Sequence, residues 1–154
     1  MKDKIKMAKQ LAMIAHKDQK RDDGKPYYTH PFMVADLIQK VSKDEDLICA
    51  AYLHDVIEDN RNYKYSTIKE GFGKRVADIV REATKDKKGL FHIKTREGAL
   101  IKLADTLHNL ADADKIKKSS LIKRKIRFIA AAINMKSDAE VAKEMLEFYE
   151  EHNI

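Results

Sequence analysis

Two histidines and two aspartates, each set in apolar sequence, have the types and spacing to do chemistry together. His54 and Asp55 are adjacent at the end of the run Ala50-Ala51-Tyr52-Leu53, and Glu58 and Asp59 follow each of them by four residues. On a helix, that spacing puts each acid on the same face as one member of the pair. Three carboxylates and an imidazole would then share about one turn. Unit charges ~4 Å apart interact by roughly 4 kcal/mol at an effective dielectric near 20. A divalent cation or a shared proton relieves that repulsion; the alternative is an exposed acidic helix end screened by water. Asp105 falls among Leu103, Ala104 and Leu107, where an unpaired carboxylate is costly. It calls for a partner, either an arginine or lysine or a metal. His30, in Tyr27-Tyr28-Thr29-His30-Pro31, stands at the mouth of a predicted helix. Alone it reads as a cap or a satisfied core histidine; its weight comes from joining the other groups.

Together, His30, His54, Asp55 and Asp105 offer two imidazoles and two carboxylates. That mixed set suits Mn²⁺, Fe²⁺, Co²⁺, Ni²⁺ or Zn²⁺ and leaves positions for water or substrate oxygens. Such an ion acts as a Lewis acid and generates hydroxide near neutral pH. Glu58 and Asp59 would then orient water or move protons.

The elements that must bring these residues together are helical. Ile5, Ala8, Leu11, Ala12 and Ala15 share one face of a helix predicted over 3–17. A polar loop, Lys17 to Thr29, contains Gly24 and Pro26, and Pro31 suits the first turn of a second helix. Ser42-Lys43-Asp44-Glu45 reads as a capping box opening a third helix that runs to about Asp59. A short helix from Thr67 stops at Gly71 or Gly73, and Val76, Ile79, Val80 and Ala83 mark a fifth. The sixth spans about Thr95 to Ala113, with Leu100, Leu103, Ala104, Leu107 and Leu110 facing inward. Two more are predicted, over roughly 120–134 and from the capping box Ser137-Asp138-Ala139-Glu140. No segment of good length alternates with period two and no linker divides the chain. The expectation is one all-α domain over 1–154, a bundle of about eight helices.

Composition narrows the setting. The 154 residues carry 31 Lys and Arg against 25 Asp and Glu, a formal net charge of +6. That excess fits an anionic partner such as a nucleotide, nucleic acid or acidic lipid without choosing among them. Only 5 glycines and 2 prolines argue against a turn-rich β architecture. The longest apolar run, Phe128 to Ile133, is far too short to span a bilayer, and the N-terminus has no apolar signal segment. Cys49 has no partner for an internal disulfide and reads as a buried, inert thiol in a reducing cytoplasm. Lys115 to Arg127 holds seven basic residues and no acid, whereas Ser137 to Glu151 is mainly acidic. These are either two solvated faces or, for the first, a phosphate-facing patch.

The adjacent His54-Asp55 pair, with a histidine upstream and an aspartate downstream, resembles the HD-domain phosphohydrolase superfamily. Ala15-His16-Lys17-Asp18-Gln19-Lys20-Arg21, Pro26-Tyr27-Tyr28-Thr29-His30-Pro31, Leu53-His54-Asp55-Val56-Ile57-Glu58-Asp59, Phe72-Gly73 with Thr84-Lys85, and Lys102-Leu103-Ala104-Asp105 with Leu107-His108-Asn109 resemble the hydrolase domain of RelA/SpoT-type enzymes. The resemblance runs from the first helix to about Asp112. With no synthetase or regulatory segment in the chain, it implies a small alarmone hydrolase. It implies one divalent ion, usually Mn²⁺, held by His30, His54, Asp55 and Asp105, with Glu58 and Asp59 assisting the attacking water. Arg21 would pack on the guanine base and Asn109 would help to hold the nucleotide. Lys25, Lys94 and Arg96 are candidate phosphate contacts. The reaction implied is removal of pyrophosphate from the 3′ position of (p)ppGpp. The partner is therefore a small nucleotide, with no nucleic acid and no membrane. Asp22 and Asp23 stand where the family commonly has a basic and then a small polar residue, and Leu110 and Ala111 replace a frequent Met-Arg pair. These departures keep two alternatives open: the same fold acting on another nucleotide, or a non-catalytic nucleotide-binding module.

Overall fold

The computed structural model describes residues 2–89 and 91–113. They form seven helices: α1 (Lys2–Ala15), α2 (Thr29–Val41), α3 (Glu45–Leu53), α4 (Val56–Asp59), α5 (Tyr65–Phe72), α6 (Lys74–Glu82) and α7 (Arg96–Ala113). No strand occurs among the described residues; an isolated antiparallel bridge joins Lys20 to Pro26. The all-α expectation holds. The two helices predicted beyond residue 113, and the basic and acidic stretches on them, lie outside the described residues, so the total of eight is not reached here.

Helix α3 is the centre of the packing. It is buried from Leu47 to Leu53 and takes α1, α2 and α6 on its sides. Helix α2 also packs along α7, and α5 along α6. Leu37, Ile38, Leu53, Ile68, Leu100, Ile101, Leu103 and Leu107 fill the space between them, each at most 1% exposed. Cys49 is fully buried in this core, and burial pushes its thiol up to about 11. That makes it a structural thiol, as its apolar neighbours predict.

The boundaries show which local signals govern. Asp44, rather than Ser42, caps α3: its Oδ1 accepts from the backbone N–H of Asp46 at 3.1 Å and Leu47 at 3.4 Å. Ser42 supports it by accepting from the Asp44 N–H at 3.1 Å. Helices α5 and α6 meet at Gly73, whose φ of 95° only glycine adopts freely. The third helix does not run on to Asp59. It ends at Leu53, and His54 and Asp55 occupy a turn before the single turn of α4. Asp55, with φ −102° and ψ −3°, is the N-cap of α4 and makes no side-chain cap hydrogen bond there, so its carboxylate is left for other partners.

Candidate metal centre

Four side chains meet where α2, the α3–α4 turn and α7 converge. His30 is in the first turn of α2, His54 and Asp55 form the turn, and Asp105 is in the middle of α7. One ligand atom from each lies within 4.8 Å of all the others, and all four residues are buried. The His30 Nε2 is 2.8 Å from Asp105 Oδ1 and 3.6 Å from Asp55 Oδ2. The His54 Nε2 is 3.1 Å from Asp55 Oδ2 and 3.5 Å from Asp105 Oδ1. Two ring nitrogens and two carboxylate oxygens thus face a common point.

The opposite edge of each imidazole is anchored. His54 Nδ1–H donates to the Ala51 carbonyl at 2.7 Å, which leaves Nε2 as the bare nitrogen. That Nε2 is buried without a hydrogen-bond partner. An orphaned buried nitrogen beside two carboxylates is the donor arrangement a divalent cation fits, so the residues present suit such an ion. His30 Nδ1 pairs with His108 Nδ1 at 2.7 Å, and the two rings stack with centroids 5.0 Å apart. The acids are held as well. Tyr27 donates its hydroxyl to Asp55 Oδ2 at 2.7 Å. Asn109 Nδ2 donates to Asp105 Oδ1 at 2.8 Å, and Lys102 Nζ to Oδ2 at 3.1 Å.

The electrostatics follow from burying two carboxylates together. Burial works against the charged form of His54, but the Asp55 charge and the contacts its ring makes with both carboxylates raise its pKa well above the ordinary histidine value. His30 goes the other way, because burial outweighs its hydrogen bond to Asp105. Against burial, His54 keeps Asp55 low, and the His30 hydrogen bond with the adjacent His54 ring keeps Asp105 well below the usual carboxylate range. Just outside the cluster, Glu58 and Asp59 are both pushed up, first by burial and then by the Asp55 charge. Burial and the Asp55 charge also raise Tyr27, which therefore stays a neutral donor.

A pocket of about 470 Å³ adjoins the cluster, lined by Gln19, Lys20, Arg21, Asp22, Asp23, Tyr27 and Asn109. Arg21 Nη2 donates to Asn109 Oδ1 at 3.3 Å, and its guanidinium lies 5.8 Å from the centre of the Tyr27 ring. Of the substrate residues expected from sequence, Arg21 and Asn109 are therefore brought together beside the cluster. Lys25, Lys94 and Arg96 are exposed and do not line this pocket. The Lys94 backbone N–H instead donates to Glu82.

A protein-family model described as HD domain matches residues 8–89. The chain belongs to the HD-domain family. Among curated members of related sequence, this HD-domain chain is 40% identical over 119 residues to the guanosine-3′,5′-bis(diphosphate) 3′-pyrophosphohydrolase of Haemophilus influenzae, covering 65% of this chain and 17% of the relative. It is 36% identical over 128 residues to the bifunctional (p)ppGpp synthase/hydrolase SpoT of Escherichia coli, covering 70% of this chain and 18% of that one. The chain thus spans less than a fifth of the length of these relatives. A solved structure described as a metazoan ortholog of SpoT that hydrolyzes ppGpp superimposes with a TM-score of 0.68 at 24% identity, over 97% of this chain and 95% of that one. That likeness shows a shared fold.

Sequence reasoning gave no role to Tyr27, Lys102 or His108, although all three lie within the motifs that carry the resemblance. A signal was available. Tyr27 and His108 are each three residues from a candidate ligand, His30 and Asp105, and Lys102 is three residues before Asp105. For Lys102 and His108 that is the spacing of one face of α7, whereas Tyr27 precedes α2 in a turn.

Proposed function

We propose that the chain is a metal-dependent phosphohydrolase that removes pyrophosphate from the 3′ position of (p)ppGpp. The observation that carries this reading is the convergence of two imidazole nitrogens and two carboxylate oxygens behind Tyr27 and Asn109, which line a pocket that also presents Arg21. The names of the relatives at 36% and 40% identity support the substrate. His30, His54, Asp55 and Asp105 would hold one divalent ion, Mn²⁺ in this reading. Such an ion supplies Lewis-acid polarisation of a phosphoryl oxygen and lowers the pKa of water.

The protein's own residues do the rest. Tyr27, Lys102 and Asn109 fix the two aspartates, and His108 and the Ala51 carbonyl fix the ring planes of the histidines. Glu58 and Asp59, whose carboxyls are less acidic than usual, accept the proton of the attacking water. Arg21 offers a planar cation to the face of the guanine, and Asn109 holds it at that angle. Lys25, Lys94 and Arg96 keep the role of long, exposed cations for phosphate oxygens. We assign the activity to one HD-type domain over 1–154, working in a reducing cytoplasm. No helix of the described residues is long and apolar enough to cross a membrane.

A second reading, the same chemistry on another nucleotide, draws on Asp22 and Asp23. Both line the pocket, where they disfavour dense negative charge on that side. Incubating the protein plus Mn²⁺ with ppGpp, pppGpp and a panel of nucleotides separates the two. Pyrophosphate released from ppGpp, and abolished by EDTA, is the expected result. Turnover of other nucleotides with ppGpp left intact refutes the first reading and favours the second.

A further inference from the structure

His16 lies outside the candidate ligand set, yet its environment ties it to the site. It directly follows α1, and its side chain is fully buried. Its Nδ1 is 2.8 Å from Gln19 Oε1, and Gln19 Nε2 donates to Asp59 Oδ2 at 3.1 Å. Its ring lies 4.9 Å from that of Tyr27, the residue whose hydroxyl holds Asp55. The remaining ring nitrogen, Nε2, is buried and has no hydrogen-bond partner.

The polarity of the Gln19 amide decides how this chain of contacts must run. An amide oxygen only accepts and an amide nitrogen only donates. With the nitrogen on the Asp59 carboxylate, the oxygen faces His16, so Nδ1 must carry a hydrogen. The opposite amide orientation would set oxygen against carboxylate oxygen at one end and N–H against N–H at the other. One histidine tautomer therefore selects the amide orientation that offers Asp59 a donor. We infer that His16 and Gln19 form a positioning relay, in which the Nδ1–H tautomer of His16 locks the Gln19 amide so that it fixes the Asp59 carboxylate for its work on the attacking water. The bare, buried Nε2 is the cost of this arrangement: a histidine placed only for packing would pair both nitrogens or be replaced by an apolar side chain. Gln19 also lines the pocket, so the relay lies between the core and the substrate.

The inference rests on the role proposed for Asp59, and the test separates the two. In Gln19→Leu and His16→Leu, kcat falls by roughly 10- to 100-fold, because a displaced catalytic group loses rate steeply. In His16→Leu, whose side chain is buried outside the pocket, KM for ppGpp and the affinity for Mn²⁺ measured by calorimetry stay at their wild-type values. The double variant is no slower than Gln19→Leu alone, as expected for residues acting in series. His16→Asn, whose amide can donate from the Nδ1 position, recovers most of the rate. Long-range ¹H–¹⁵N spectra of the wild-type protein show the His16 proton on Nδ1, a readout independent of turnover. The relay is overturned by a proton on Nε2, by multiplicative losses in the double variant, or by His16→Asn as slow as His16→Leu. A dead Asp59→Asn beside a wild-type-like Gln19→Leu removes the relay alone. A fully active Asp59→Asn removes the role of Asp59, and the relay with it.

Discussion

The two oxygens of Asp105 face different partners. Oδ1 meets the His30 ring and the Asn109 amide at 2.8 Å each, while Oδ2 accepts from Lys102 at 3.1 Å. The lysine answers the burial of the carboxylate, and the other oxygen is left turned towards the histidines. Of the two partners that the sequence allows for Asp105, the lysine is present on one oxygen, and the other oxygen faces the proposed cation site. Asp105→Ala should keep its helical circular dichroism and lose Mn²⁺ affinity by at least about 100-fold, since a ligand is removed rather than a supporting contact. Hydrolysis should disappear with it. Calorimetric titration beside a pyrophosphate-release assay checks both, and a metal-replete, fully active variant refutes the assignment. The four candidate ligands were legible because each is a polar residue in apolar sequence. The anchors behind them were not, because a tyrosine or a second histidine at helical spacing looks the same whether it packs or holds a ligand.

Helix ends, more than helix interiors, decide where these side chains point. The periodic run through Val56 and Ile57 continues the α3 pattern, so nothing in local spacing reveals the break at His54 and Asp55. The break is imposed by packing, which turns both polar side chains towards α2 and α7. The cap at Asp44 is also a tertiary feature, since Arg75 of α6 reaches its two oxygens at 2.8 and 2.6 Å. Hydrogen bonding to Arg75 lowers the Asp44 pKa below the ordinary carboxylate value. A group whose folded pKa is depressed stabilises above its unfolded pKa and loses that contribution as pH falls through the folded value. Asp44→Asn keeps a capping oxygen but loses the charge. Its stability deficit in urea should therefore be present at neutral pH and vanish as the pH drops below the carboxylate range; a deficit independent of pH would count against the ion pair. The start of α7 is fixed differently. Glu82 accepts from the Thr95 N–H and hydroxyl, both at 2.7 Å, and a Cβ built on Gly98 would stand 2.7 Å from Glu82 Oε1. Gly98→Ala gains helix propensity but forces this carboxylate aside, and should destabilise by roughly 1–3 kcal/mol in denaturant melts. An unchanged or raised midpoint would show that the contact yields freely.

At the scale of the molecule, the four candidate ligands lie on the seams between packed helices, and the connection between α1 and α2 brings Arg21 and Tyr27 beside them. Buried carboxylates with nothing to neutralise them destabilise a fold, so an ion at this point should support the whole. Mn²⁺ at 100 times its Kd should stabilise by about 2.7 kcal/mol. The expected observation is a melting temperature that climbs with Mn²⁺ and falls on adding EDTA, with no such climb in Asp105→Ala. A melting point indifferent to both would mean that no ion binds in the folded state. The all-α class was legible from apolar periodicity over long segments, but the convergence of three elements was not, because no local pattern encodes a distance between residues 30 and 105. That separation matters during synthesis. His30, His54 and Asp55 all leave the ribosome well before Asp105, which lies beyond the 8–89 segment matched by the family model. A nascent chain therefore carries three of the four groups for some fifty residues of growth without the means to enclose an ion. In the proposed reading, its grip on metal arrives late and nearly at once, when α7 docks.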